Sequence, residues 1–338
     1  MTPAIFGLEG LAVTPSERDF FKSAAPMGYI LFGRNVKSRD QLRRLTDDLR
    51  ELHGSASLPI LIDQEGGRVA RMQSPEWFSY PPAAVFGSVF VQDPEAAYDA
   101  CRANFEALAL DLAEVGITVT CAPVLDVPVA GAHDVIGDRA FSRDPECVSV
   151  LGRACLEGLL AAGVDGVIKH IPGHGRAAAD SHLALPHVSA SLAELNNDLI
   201  PFKALADASM AMTAHVIYER WDSERCATLS PKVIQDVIRD EIGFDGLLMS
   251  DDLDMKALSG DIGDLAHEAQ AAGCDVVLNC WAKMDDMVAI AEKMSAPSSK
   301  AVQRLERVTR GLSAKSPSQT LKARQRALLE RRDALLAS

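Results

Sequence analysis

The sequence is short of positive charge. Its 338 residues hold 34 Lys and Arg against 47 Asp and Glu, a formal net charge of −13 with His neutral. Nucleic-acid binding is excluded as a main role, because it needs a basic face to displace counterions from phosphates. Anionic membrane surfaces are disfavoured on the same ground. No apolar run approaches the ~20 residues that span a bilayer, and the N-terminus shows no basic leader, with Glu9 interrupting its first apolar stretch. Aromatic residues are scarce, at 5%. The seven cysteines are an odd number with no Cys-x-x-Cys, which argues against a disulfide framework and against a zinc ribbon. What is present is 48% apolar residues, enough at this length to bury a full core without staples. These features describe a reduced, cytoplasmic, soluble chain with no nucleic-acid or membrane partner.

Short β-rich runs alternate with longer amphipathic stretches. The runs are Ala4–Leu8, Gly28–Phe32, Leu58–Ile62, Ile117–Cys121, Gly166–Lys169, Met210–Ala214, Gly246–Ser250 and Asp275–Asn279. Between them, Asp93-Pro94 and Asp144-Pro145 each place a capping side chain before a Pro suited to the first helical turn. Ala97, Cys101, Phe105, Leu108 and Leu112 then recur at helical spacing until Gly116. Ser191 to Glu194 has the form of a capping box, and Ser230-Pro231 opens another helix. Eight strands alternating with helices imply a mainly parallel sheet and favour a closed (β/α)8 TIM barrel over a doubly wound open sheet. The barrel domain is expected over residues 1–312. A Ser/Pro/Lys linker and a basic helix marked by Leu321, Leu328 and Leu335 follow over 313–338, expected as a solvated helix laid on the barrel.

Polar residues collect where the strands end. Asp63 closes the third run, Asp126 lies beyond the fourth, Lys169-His170 close the fifth, His215 the sixth and Asp251-Asp252 the seventh. One such Asp is ordinarily a helix cap or turn residue. Five strands ending this way, at the face where barrel enzymes build their sites, point to an enzyme. Four of the eight histidines fall between His170 and His187. Pro172 and Gly173 separate His170 from His174, so these two do not form the i, i+4 helical pair of a zinc site. Gly173, Gly175 and Ala177–Ala179 read as a segment able to swing, and Asp180 with His182, two residues on, as a carboxylate–imidazole pair suited to proton transfer. Asp251 should point into the barrel mouth, where a carboxylate can stabilise and attack an oxocarbenium ion. Adjacent Asp252 should project elsewhere. Taken alone, Ser250-Asp251-Asp252 is equally the pattern of a helix cap or a magnesium ligand.

Lys169-His170-Ile171-Pro172-Gly173-His174-Gly175, followed by Asp180-Ser181-His182, closely resembles the signature of family 3 β-N-acetylglucosaminidases, single-domain bacterial enzymes that recycle peptidoglycan fragments. Gly28 to Phe32, Asp63 to Val69, Ala122 to Val127, Val135 to Phe141 and Ser250 to Leu253 match in the same order. The resemblance implies a retaining hydrolase with no metal and no cofactor. By motif, Asp251 corresponds to the nucleophile and His182, paired with Asp180, to the general acid/base. Asp63, Arg71, Arg139, Lys169 and His170 correspond to sugar contacts, and Arg71, Arg139 and Lys169 make a basic pocket within an acidic surface. His174 corresponds to a loop-organising residue. The implied substrate is a small carbohydrate, a muropeptide or GlcNAc-1,6-anhydro-MurNAc, handled by a monomer. Because a neutral imidazole does not repel an incoming anion, phosphorolysis competes with hydrolysis as the second step. A metal-dependent amidohydrolase barrel and a catalytically silent sugar-binding barrel are the readings from other classes.

Overall fold

The computed structural model describes residues 1–177, 185–312 and 319–337. Eight strands form one closed parallel barrel in sequential order: β1 (Thr2–Gly7), β2 (Pro26–Leu31), β3 (Ile60–Ile62), β4 (Val119–Thr120), β5 (Asp165–Ile171), β6 (Met210–Thr213), β7 (Leu247–Asp252) and β8 (Val276–Asn279). Closure comes from β1 pairing with β8, Ile5 opposite Leu278. All eight expected strands are present. The third and fourth are shorter than their apolar runs, whereas the fifth and seventh run two residues past their expected ends.

Strand alternation sorts the core into two shells. Ile5, Ile30, Leu61, Val119, Val167, Met210 and Met249 fill the barrel, while Phe6, Tyr29, Leu31, Ile60 and Ile62 face the surrounding helices. Those helices are α1 (Pro15–Ala24), α2 (Arg39–His53), α3 (Ala83–Phe90), α4 (Pro94–Glu114), α5 (Pro145–Ala161), α6 (Leu192–Asp198), α7 (Ile200–Ala204), α8 (Ile262–Ala272), α9 (Met284–Lys293), α10 (Ser299–Gly311) and α11 (Gln319–Leu336), with a wide-turn helix at Val233–Glu241. The local signals act as their chemistry requires. Asp93 caps α4 by accepting from the Glu95 and Ala96 amides, and Asp144 caps α5 at the Glu146 amide. Ser191 and Glu194 complete the capping box of α6. Gly116 takes φ +80 after α4, and its added Cβ would lie 2.4 Å from Thr46 Oγ1. All seven cysteines are buried thiols.

Helix α10 closes the foot of the barrel. Its Val308 and Leu312 join the interior shell, and its Arg304 donates to Asp275 (2.9 Å) and Asp245 (2.7 Å), which precede β8 and β7. Helix α11 is more than a solvated tail. Leu329 is buried against the outer shell, Gln325 donates to the Ala107 carbonyl on α4 (3.0 Å), and Arg332 reaches Asn104 Oδ1 (3.1 Å). Leu321, Leu328 and Leu335 pack against the same outer shell, and the docking face also carries Gln325 and Arg332. The linker at 313–318 lies outside the described residues. Among the described residues no helix is long and apolar enough to cross a membrane.

Candidate active site

The opposite end of the barrel opens into a cavity of about 890 Å³. Asp63, Arg71, Arg139, Lys169, His170 and Asp251 all line it. The other two expected site residues, Asp180 and His182, lie outside the described residues.

The first wall is built by the segment after β3. Gln64–Gly66 pairs antiparallel with Val69–Ala70. Gly66 (φ +98) and Gly67 (φ +56) make the turn, and a Cβ on Gly66 would meet the Pro81 carbonyl at 2.4 Å. Gln64 locks the hairpin: its side-chain oxygen accepts from the Arg71 and Met72 amides (2.8 and 3.0 Å), and its amide nitrogen donates to the Met72 carbonyl (2.9 Å). Arg71 is thereby set beside Asp63, to which it donates at 3.0 Å.

Lys169 then bridges two carboxylates, Asp63 at 3.4 Å and Glu65 at 2.6 Å. Arg139 grips Glu65 with two bonds of 2.8 Å each. Burial acts to raise both carboxyls, but Lys169 with Arg71 at Asp63, and Lys169 with Arg139 at Glu65, outweigh it and hold both ionised. Burial likewise opposes the charge on Lys169, and Glu65 with Asp63 overcomes it. Each of the three cations in the expected basic pocket is therefore matched to a carboxylate. The excess of positive charge lies in the wall as a whole, which carries seven Lys and Arg and five Asp and Glu.

On the far side, His170 presses against Asp126, a fully buried carboxylate. The ring Nδ1–H donates to Asp126 Oδ2 (2.7 Å), and the His170 and His174 amides donate to Oδ1 (3.2 and 2.6 Å). Burial raises this carboxyl, yet His170 foremost brings it down to about 2. The bond fixes the tautomer, which leaves Nε2 of His170 for the cavity. His174 is lowered to about 4 by burial and by its neighbour His170, so its ring is neutral near pH 7.

Two irregularities in the barrel aim consecutive residues at the mouth. In β5, Lys169 pairs with Met212 but Ile171 with Thr213. In β7, Met249 pairs with Val276 but Asp252 with Leu278. Such bulges suspend strict alternation, so Lys169 and His170 line the cavity together, as do Asp251 and Asp252. The expectation that Asp252 turns away is corrected on this point. The two carboxyls nevertheless differ. Burial pushes against ionisation of Asp251, but His170, His215, the Asp252 amide (2.8 Å) and Lys169 lower it. Burial raises Asp252 to about 7, with Asp251 and Asp254 adding to the rise. Near neutrality Asp251 is a carboxylate, whereas Asp252 still holds its proton part of the time, a separation of roles typical of paired acids in active sites.

His215 does not line the cavity. It is fully buried, bonded through Nδ1 to Thr228 Oγ1 (2.7 Å) and donating from Nε2 to the Asp252 carbonyl (3.0 Å), so it braces the end of β7. The segment expected to swing is fastened as far as Ala177. Tyr218 donates to the Gly173 carbonyl (2.7 Å), the Val129 amide to Gly175 (3.2 Å) and the His133 amide to Ala177 (2.9 Å). A Cβ on Gly175 would lie 2.1 Å from the Val127 carbonyl, so this glycine serves close packing. Sequence reasoning passed over Glu65 as a site residue although it sits in the quoted Asp63 to Val69 block. The acid placed two after Asp63, on the strand of a hairpin, was the available signal.

Comparison with known proteins adds to this geometry. The model of the glycosyl hydrolase family 3 N terminal domain matches residues 13–311. A beta-hexosaminidase of Thioalkalivibrio sulfidiphilus is 40% identical over 285 residues, covering 82% of this chain and 80% of the relative. One of Chromobacterium violaceum is 39% identical over 311 residues, with 90% and 86% covered. The crystal structure of NagZ from Neisseria gonorrhoeae in complex with N-trifluoroacetyl-D-glucosamine superposes with a TM-score of 0.88 at 31% identity, covering 98% of each chain. The chain belongs to glycosyl hydrolase family 3 and is a glycoside hydrolase.

Proposed function

We propose that this enzyme is a retaining exo-β-N-acetylglucosaminidase that releases terminal N-acetylglucosamine from muropeptide fragments such as GlcNAc-1,6-anhydro-MurNAc in cell-wall recycling. The observation that carries the reading is Asp251, an ionised carboxylate at the barrel mouth facing a cavity lined by Asp63, Lys169 and His170. Asp63 accepts from ring hydroxyls, while Lys169, Arg71 and Arg139 donate to hydroxyl or acetamido oxygens. The Asp251 carboxylate attacks the anomeric carbon as the glycosidic bond breaks, and His182 gives its proton to the departing oxygen. His182, oriented by Asp180, next takes a proton from water, whose oxygen displaces Asp251 with net retention. No metal or cofactor is required. Its similarity to the beta-hexosaminidases of Thioalkalivibrio sulfidiphilus and Chromobacterium violaceum supports an amino-sugar specificity.

The test is an aryl β-N-acetylglucosaminide assay with and without chelator, followed by trapping with a 2-acetamido-5-fluoro glycoside and peptide mass spectrometry. Turnover that survives chelation, with the label on Asp251, is expected. A label on another residue would overturn the nucleophile assignment, and loss of activity on chelation would favour the metal-dependent reading. Sugar 1-phosphate formed in phosphate buffer would replace hydrolysis by phosphorolysis as the second step.

A further inference from the structure

Trp281 is 61% exposed, whereas the other two tryptophans, Trp77 and Trp221, are buried to 5% and 9%. It lines the same cavity as Asp251. An indole left in water on a loose loop would carry little meaning, but this one stands on a pinned loop. Immediately before it, the Cys280 amide donates to Asp252 Oδ1 (3.1 Å) and the Cys280 carbonyl accepts from Arg34. Two residues later, Lys283 is held by Asp254 (2.9 Å) and Asp286 (3.2 Å). Between these anchors Ala282 adopts φ +57, a left-handed conformation that a residue with a Cβ rarely takes. The indole thus presents a large apolar surface to solvent at the rim of the cavity that holds Asp251.

The rim position identifies what the indole meets. In the proposed reaction, the sugar ring whose anomeric carbon faces Asp251 occupies the inner part of the cavity, which is lined by the buried Lys169, Glu65 and His170. Its glycosidic oxygen leads outward, and Trp281 follows β8, the strand hydrogen-bonded beside β7. A β-linked hexopyranose presents axial C–H bonds on one face, and the electron-rich face of an indole is their complement. We propose that Trp281 is the stacking platform for the ring on the leaving side of the scissile bond and thereby a residue that discriminates between aglycones. The inference rests on the glycosidase reading and deepens it.

The test compares a disaccharide, β-1,4-linked di-N-acetylglucosamine, with N-acetylglucosaminyl fluoride, which has no aglycone ring. In Trp281→Ala the ratio of kcat/KM for the disaccharide to that for the fluoride falls about tenfold, and Trp281→Phe restores most of it. In parallel, the disaccharide shifts the tryptophan emission of Asp251→Asn, and the shift is absent from Asp251→Asn/Trp281→Phe. A ratio unchanged within twofold together with unmoved emission overturns the platform. If the wild-type enzyme releases N-acetylglucosamine from neither substrate, the glycosidase reading fails, and the emission titration still decides the platform.

Discussion

The two ends of the barrel each carry a network of carboxylates and cations, and the networks differ in what they leave open. At the foot, Asp275 receives Arg304 and Arg239 (2.9 and 2.8 Å), Arg239 also donates to the Phe244 and Gly246 carbonyls (both 2.9 Å), and Asp245 receives Arg304 and Arg307. Val308 and Leu312 pack over the interior beside them. At the mouth, Asp63, Glu65, Lys169, Arg71 and Arg139 are paired as thoroughly, yet all five line a cavity. Similar pair chemistry thus fastens a helix at one end and holds polar atoms toward a vacant volume at the other. Counting ion pairs does not separate the two uses, whereas the space beside them does.

Replacing Asp251 by Asn should have the largest effect: a loss of kcat on the order of 10³-fold or more, with thermal stability near wild type, because Asp251 is not part of an ion pair in either network. Unchanged kcat would remove Asp251 from the reaction. Glu65→Gln comes next. It leaves Lys169 and Arg139 short of their shared partner, so both kcat/KM, by about 100-fold, and stability, by about 3 kcal/mol, should fall. Steady-state kinetics with a denaturant titration reads both. Asp275→Asn at the foot should cost about 3 kcal/mol as well while leaving kcat/KM within about twofold at a temperature where the variant is folded. If the two variants lose activity equally, the distinction between the ends collapses.

The last prediction concerns pH and stability, with activity left aside. The Asp252 carboxyl, raised to about 7, binds its proton more tightly folded than unfolded. Its contribution to stability is full below about pH 4, the ordinary unfolded value, and is lost as the pH rises through about 7. Asp252→Asn removes that dependence. Relative to the variant, the wild-type Tm should therefore decline by about 5 °C between pH 4 and pH 8. Parallel Tm curves would show that Asp252 titrates in the ordinary carboxylate range.

Much of the barrel could be read from local chemistry. Ile5 and Phe6, or Ile30 and Leu31, already show the two-sided apolar pattern of a strand buried on both faces, and Asp93, Asp144 and Ser191 mark helix starts because an oxygen side chain there satisfies amides the helix leaves open. The candidate site was legible in its members but not in its wiring. Strict alternation allows only one of Lys169 and His170, or of Asp251 and Asp252, to face the mouth, and the bulges that admit both arise from register against neighbouring strands. Asp126 and His215 looked alike as polar strand-end residues. Only their partners separate them: Asp126 orients His170, and His215 braces β7. The tail's leucine spacing suggested a helix laid on the barrel, but not the polar bonds of Gln325 and Arg332, whose partners on α4 lie more than two hundred residues earlier.

The sealed foot has one more consequence, concerning traffic. With α10 across one end and the interior shell filling the barrel, the described residues leave the cavity no passage through the foot. A polymer therefore cannot be threaded along the barrel axis, and whatever enters the cavity has to leave it without crossing the core. Departure has an imposed sequence as well. In the proposed retaining reaction, the leaving-side fragment goes first and the sugar held at Asp251 follows it.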